Sequence, residues 1–261
     1  METKGQFPKH RFVFLTLPNY SMIALSSAVE ALRMANRVTK QDVYEWSLAS
    51  LDGNPVAASN GLTLSPTIPV DKMGPANIVF VCGGVNVEQA VTSELLSALR
   101  RLAQRHVSLG SLCTGGYALA KAGLLDKYKA VIHWENMSAL QEEFPRVIFS
   151  DQLFAIDRDR FTCTGGIAPL DLMLNIIKDH LGRDIAPMIS EQFILDRIRN
   201  DQDRQHIPLQ ARVGLFHENL IEAAALMEAN IEEPLSLDEI AALVGVSRRQ
   251  IERLFKRYVG Q

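Results

Sequence analysis

From residue 11 to about 200 the chain alternates between short apolar runs and longer stretches whose apolar residues recur at helical spacing. Arg11 to Leu17, Tyr44 to Leu51, Ile78 to Cys82 and Val107 to Leu112 read as strands. The first is rich in Phe, Val and Leu, as a strand buried on both faces is. Met22 to Arg37 and Glu88 to Gln104 read as helices between them. Val147 to Ser150 and Leu153 to Ile156 flank Asp151-Gln152 and predict a hairpin, and another strand ends in Thr162 to Gly166. Pro169 to Leu181 and Ser190 to Ile198 read as closing helices. Strands alternating with helices predict an α/β domain whose mostly parallel sheet is flanked by helices.

At Arg199 to His206 the pattern gives way to a polar, charged run, and beyond it everything reads as helix. This predicts a first domain over 9–199, a linker over 200–216 and a small all-α segment over 217–261.

The all-α segment carries a helix-turn-helix pattern. Ser236 and Glu239 have the spacing of a capping box, and Ile240, Ala241 and Val244 are apolar at helical spacing. Gly245 supplies a left-handed turn residue, and Ser247 caps a second helix that turns Ile251, Leu254 and Phe255 inward. Its other face carries Arg248, Arg249, Gln250, Arg253 and Arg257. Ser247 and these five residues are the candidate DNA-binding set, since long cationic side chains on one helix face reach phosphates and guanine edges in a major groove. A helical hairpin with a solvated basic face has the same spacing.

The second chemical signal is Leu112-Cys113-Thr114-Gly115-Gly116 after a strand. A strand, a sharp turn and a helix start are the layout of a nucleophile elbow, with a helix N-terminus expected to lower the thiol pKa. A buried cysteine on a tight turn reads the same way. Candidate ligand-binding residues around it are Cys113, Thr114, Gly83, Gly84, His133, Trp134, Glu135 and Tyr20.

Composition narrows these readings. A net charge of −3 gives no overall pull towards nucleic acid, so a DNA-binding surface must be local. No apolar stretch approaches the roughly 20 residues of a membrane span. The three cysteines, Cys82, Cys113 and Cys163, lack metal-ligand spacing, so no metal or cofactor is expected, and reduced thiols fit a cytoplasmic protein.

Over residues 11 to 195 the chain resembles the DJ-1/PfpI superfamily, related to class I glutamine amidotransferases. The resemblance rests on the first strand and helix, Val81-Cys82-Gly83-Gly84, the Cys113 turn, Ala122-Gly123-Leu124-Leu125-Asp126 and His133-Trp134. It implies a flavodoxin-like fold. The superfamily's enzymes place an acid near the start of the first helix and often a His after the cysteine. Here that helix start reads Ser21-Met22-Ile23-Ala24-Leu25, Glu30 lies too far along, and Thr114 replaces the His. No catalytic residue is therefore assigned, although His133 is a conceivable base.

The C-terminal pattern resembles the first helix-turn-helix of the AraC/XylS family through Gly245, Val246, Ser247, Arg249, Arg253 and Phe255, with Leu220 to Ile231 and Pro234-Leu235 before it. That family carries two such units, so 217–261 is expected to be the first half of the module and to bind DNA poorly alone. A DJ-1-like domain joined to an AraC-type module is similar to the GlxA-type transcriptional regulators. Ser27 to Asn36, His133-Trp134-Glu135 and Glu228-Ala229-Asn230 resemble regulators of glycine betaine, carnitine or arginine catabolism. The resemblance implies a homodimer that senses a small amino-acid-like or quaternary-amine metabolite and acts on promoter DNA. An oxidant sensor using Cys113, or an amidase or hydratase, are the alternatives.

Overall fold

The computed structural model describes residues 8–205 and 218–258, with Glu218, Arg257 and Tyr258 described as backbone alone. The chain divides into two compact units between Gln205 and His206.

Unit 1 runs β1 (His10–Thr16), α1 (Met22–Thr39), β2 (Tyr44–Ser50), β3 (Ile68–Pro69), β4 (Ile78–Cys82), α2 (Val87–Ala90), α3 (Ser93–Gln104), β5 (Ser108–Leu112) and α4 (Gly116–Lys121). It continues with β6 (Lys129–Ala130), α5 (Trp134–Glu143), β7 (Ile148–Phe149), β8 (Phe154–Asp157), β9 (Arg160–Cys163), α6 (Ala168–Leu181) and α7 (Ile185–Gln192). The main sheet has the order β3-β2-β1-β4-β5-β9-β8, parallel except for β8 against β9, and β6 pairs with β7 apart from it. This is the mostly parallel, helix-flanked sheet expected from the alternation.

Both faces of the sheet are covered, so β4 is apolar and buried at every position and β1 is so from Phe12 to Leu15. Phe12, Phe14 and Phe80 face α1 and α6, with Phe80 stacked against both other rings at 6.3 and 5.8 Å. Val13, Leu15, Val79 and Val81 face the opposite layer, built on Leu95, Leu99 and Leu119. Gly110 is needed on β5 because a Cβ there would run into the Phe80 ring. The order in which strands are added along the sheet reverses between β1 and β4, which run parallel, so the loops after these strands share the carboxyl edge where open α/β sheets hold ligands.

Four local expectations are corrected. Glu88 to Gln104 is not one helix: it breaks before Thr92, whose side chain accepts the Leu95 amide at 3.2 Å and caps α3. The hairpin expected across Asp151-Gln152 is instead β8–β9, and Ile148–Phe149 pairs with β6. The helix expected over Ser190 to Ile198 is α7, which begins earlier and ends before Ile194, a left-handed residue at φ 54°.

The fourth concerns the polar run read as the start of a linker, which is a strap folded onto unit 1. Asp171 accepts the Arg199 main-chain N–H at 2.8 Å and its Nε and Nη2 at 3.0 and 2.7 Å. Arg197 pairs with Asp203 at 2.6 Å, and Gln205 closes the strap with the bonds described below. Residues 206–216 of the expected linker lie outside the described residues.

Unit 2 consists of α8 (Glu218–Ala229), α9 (Leu237–Val244) and α10 (Arg248–Tyr258), packed around Leu220, Ala223, Ile240, Ala241, Ile251 and Leu254. Ser236 and Glu239 form the expected capping box, and Gly245 takes the left-handed turn at φ 73°.

Candidate functional site

Strand β5 delivers Cys113 to the carboxyl edge, where it takes φ 56° before a turn of 3₁₀ helix over Cys113–Gly115. A non-glycine residue held in the left-handed region is the strained turn of an elbow. The Cys113 amide donates to Thr164 O at 3.4 Å, tying the elbow to the end of β9. Across it, Cys113 Sγ and His133 Cδ2 lie 3.1 and 3.2 Å from the point a Cβ would occupy on Gly165. Gly165 therefore lets the thiol and the imidazole share one recess. It belongs to the site and was missed as a site residue, although Thr164-Gly165-Gly166 repeats the strand–Gly-Gly signal of Cys82-Gly83-Gly84.

His133 Nδ1 is 3.7 Å from Glu135 Oε2, and its ring lies 5.5 Å from that of Trp134. Both rings are half-buried and Glu135 is exposed. Thus Cys113, His133, Trp134 and Glu135 gather at the start of α5.

The remaining predicted residues pack behind this group. Thr114 is buried, and its hydroxyl donates to Gly84 O at 2.6 Å. Gly83 already donates its amide to Leu112 O at 3.2 Å, and a Cβ on it would strike the backbone of Thr114 and Gly115. A Cβ on Gly84 would strike Asn19 O. These two glycines permit loop-on-loop packing, and the Gly83 amide is not free to receive a carboxylate. Tyr20 is 1% exposed and cannot offer its ring to a ligand without opening the core.

The electrostatics also correct an expectation. Burial pushes the Cys113 thiol above its ordinary pKa; a hydrogen bond from the Thr114 amide opposes this, and the charge of Glu135 adds to it. The helix after the elbow is only six residues long, too short to outweigh the desolvation. A protonated thiol is a weak nucleophile at neutral pH. At the start of α1, where an acid would stand, Ala24 is buried, and Glu30 is paired with Arg33 at 2.6 Å. Among the described residues no group of three or more His, Cys, Asp or Glu is placed to hold a metal ion, and no helix is long and apolar enough to cross a membrane.

In unit 2, Ser247 Oγ accepts the Gln250 amide at 3.3 Å and starts α10. Ser247, Arg249, Gln250, Arg253 and Lys256 line an open groove with Glu252. Lys256 was not predicted, though it lies three residues after Arg253 on the same helix. Arg248 is engaged within the unit, 3.1 Å from Asp238 and 2.9 Å from Glu252. The side chain of Arg257 lies outside the described residues.

Residues 10–179 match the family model for the DJ-1/PfpI family. The chain belongs to the DJ-1/PfpI family. It is 50% identical over 246 residues to the HTH-type transcriptional regulator GbdR of Pseudomonas aeruginosa, covering 94% of this chain and 67% of that one. Among solved structures, an AraC family transcriptional regulator from Pseudomonas putida superposes with a TM-score of 0.65 at 29% identity, over 70% of this chain and 99% of that one. These relatives group this DJ-1/PfpI chain with the GlxA-type transcriptional regulators. The family also includes enzymes: an isonitrile hydratase of Pseudomonas putida is 27% identical over 180 residues, 69% of this chain and 75% of that one.

Proposed function

We propose that this DJ-1/PfpI regulator senses a small zwitterionic metabolite in unit 1 without catalysis, and contacts promoter DNA through unit 2 as a homodimer. The observation that carries the ligand reading is the Trp134–Glu135 pair at the start of α5, beside the Cys113–His133–Gly165 recess. A half-buried indole next to a carboxylate suits a quaternary ammonium or guanidinium group, since aromatic faces attract such cations. The opposite, carboxylate end of a glycine betaine, carnitine or arginine type of molecule would face the elbow at Cys113. The raised thiol pKa weighs against an oxidant sensor or a hydratase at this position.

The DNA reading is supported by the capping box, the left-handed Gly245 and the groove lined by Arg249, Gln250, Arg253 and Lys256. It is tested by anisotropy of a labelled duplex at rising salt. Binding should weaken with salt, and Arg249→Ala and Arg253→Ala should each lower the slope by about one contact. A slope unchanged in both variants would remove this face from the DNA contact.

A further inference from the structure

We infer that Gln205 is a positioning residue of the α5 site, and that through it occupancy of the site is felt at the end of unit 1; the inference rests on the effector reading above. Helix α5 is lightly held, with Leu140 alone buried among its ten residues. Its N-cap, His133, makes no side-chain cap hydrogen bond. The first helical amide, that of Trp134, would lack a partner without Gln205, whose Oε1 accepts it at 2.9 Å. The same side chain donates through Nε2 to Ile132 O at 3.1 Å and Gln152 O at 3.3 Å. One glutamine thus caps α5 and ties Ile132, just before the helix, to the 151–153 segment.

Gln205 is also the last residue of unit 1. Its amide donates to Asp151 O at 2.8 Å, and Asp203 O accepts the Leu153 amide at 3.0 Å. The strap therefore lies antiparallel along 151–153, with Arg204 bridged to Gln152. Upstream it is fixed at Arg199 by buried Asp171. A ligand that draws Trp134 and Glu135 onto a cation moves the first turn of α5. Residues 203–205, tied to α5 and 151–153 and held by the Arg197–Asp203 and Arg204–Asp151 pairs, are the part of the strap in line to register this motion. Coupling of this kind is reciprocal: whatever releases Gln205 must change affinity at α5 by the same factor.

The test is hydrogen exchange on the 261-residue chain in wild type, Gln205→Ala and Gln205→Glu, with glycine betaine binding followed by calorimetry. Without ligand, Gln205→Ala should speed exchange of residues 134–137 about tenfold while leaving β4 and β5 unchanged. Gln205→Glu, which keeps an acceptor for the Trp134 amide but sets a carboxylate oxygen against Ile132 O and Gln152 O, should restore slow exchange there only in part. With glycine betaine, exchange at 203–205 should change in wild type and not in Gln205→Ala, whose affinity should fall several-fold. Unchanged exchange at 134–137 in Gln205→Ala, acceleration spread equally over β4 and β5, or an undiminished ligand effect at 203–205 would each overturn the inference. If wild type does not bind glycine betaine, that counts against this effector, and the ligand-free comparison decides the role of Gln205.

Discussion

Asp171 and Arg199 lie 28 residues apart in sequence, and the carboxylate of one takes both the main-chain N–H and the guanidinium of the other. Asp171 is buried in the first turn of α6, so this contact decides where the segment after α7 goes. Removing one partner of a buried pair leaves an uncompensated charge, which costs about 3 kcal/mol. Arg199→Ala should therefore lower the urea midpoint of unit 1 with an unchanged m-value. A midpoint equal to wild type would show that the strap is not held by this pair.

At the opposite edge of the sheet, His10 stacks on His180 at 3.9 Å, and Tyr44 Oη meets His180 Nδ1 at 3.2 Å. Burial, reinforced by His10, brings the His180 pKa from 6.5 down to about 4, with Asp179 opposing. The unfolded chain thus binds more protons than the native one between these values, and stability rises with pH across the window. The thermal midpoint should be flat in this respect above pH 6.5 and fall as pH drops towards 4. His180→Phe should flatten that decline, and an unaltered pH profile would exclude the stacked pair as its source.

The parallel sheet was legible because β4 and the middle of β1 are continuous apolar runs set between stretches of helical spacing. The capping box and left-handed glycine of unit 2 were legible because both are local. What stayed hidden depended on distant partners. Arg199 to Gln205 is as polar as a linker, yet Asp171, Asp151 and Trp134 satisfy it from afar. The hairpin was misplaced because Asp151 and Gln152 serve the strap instead of turning a strand. The structure gathers Cys113, His133, Trp134 and Glu135 at the start of α5, while close loop packing at Gly83 and Gly84 and the burial of Tyr20 arise from partners distant in sequence.

Unit 2 offers a test of its turn. A Cβ on Gly245 would meet nothing within 4 Å, so the cost of Gly245→Ala is that of holding alanine at φ 73°, about 1 kcal/mol. Ser236→Ala should cost a similar ~1 kcal/mol through loss of the cap. Each should speed amide exchange in α9 roughly fivefold, since 1 kcal/mol is about that factor. Exchange as slow as wild type in Gly245→Ala would mean that the turn relaxes to another conformation.

Trp134→Ala removes the indole while keeping the main-chain amide that Gln205 caps. A desolvated cation–π contact is worth about 2 kcal/mol, so the dissociation constant of a quaternary-ammonium ligand should rise roughly thirtyfold. Circular dichroism should be unaltered. Affinity retained in this variant would move the cation away from α5.

The central claim, that unit 1 receives a zwitterionic effector, is tested most directly by a thermal-shift screen of the chain against glycine betaine, dimethylglycine, carnitine, choline and arginine. A ligand bound by the native state alone at a hundredfold excess over Kd adds about 2.7 kcal/mol. In a domain of this size that is about 5–10 °C. The account predicts a selective rise with one of the zwitterions and none with choline, which lacks the carboxylate. No shift with any of them, or an equal shift with choline, would contradict it.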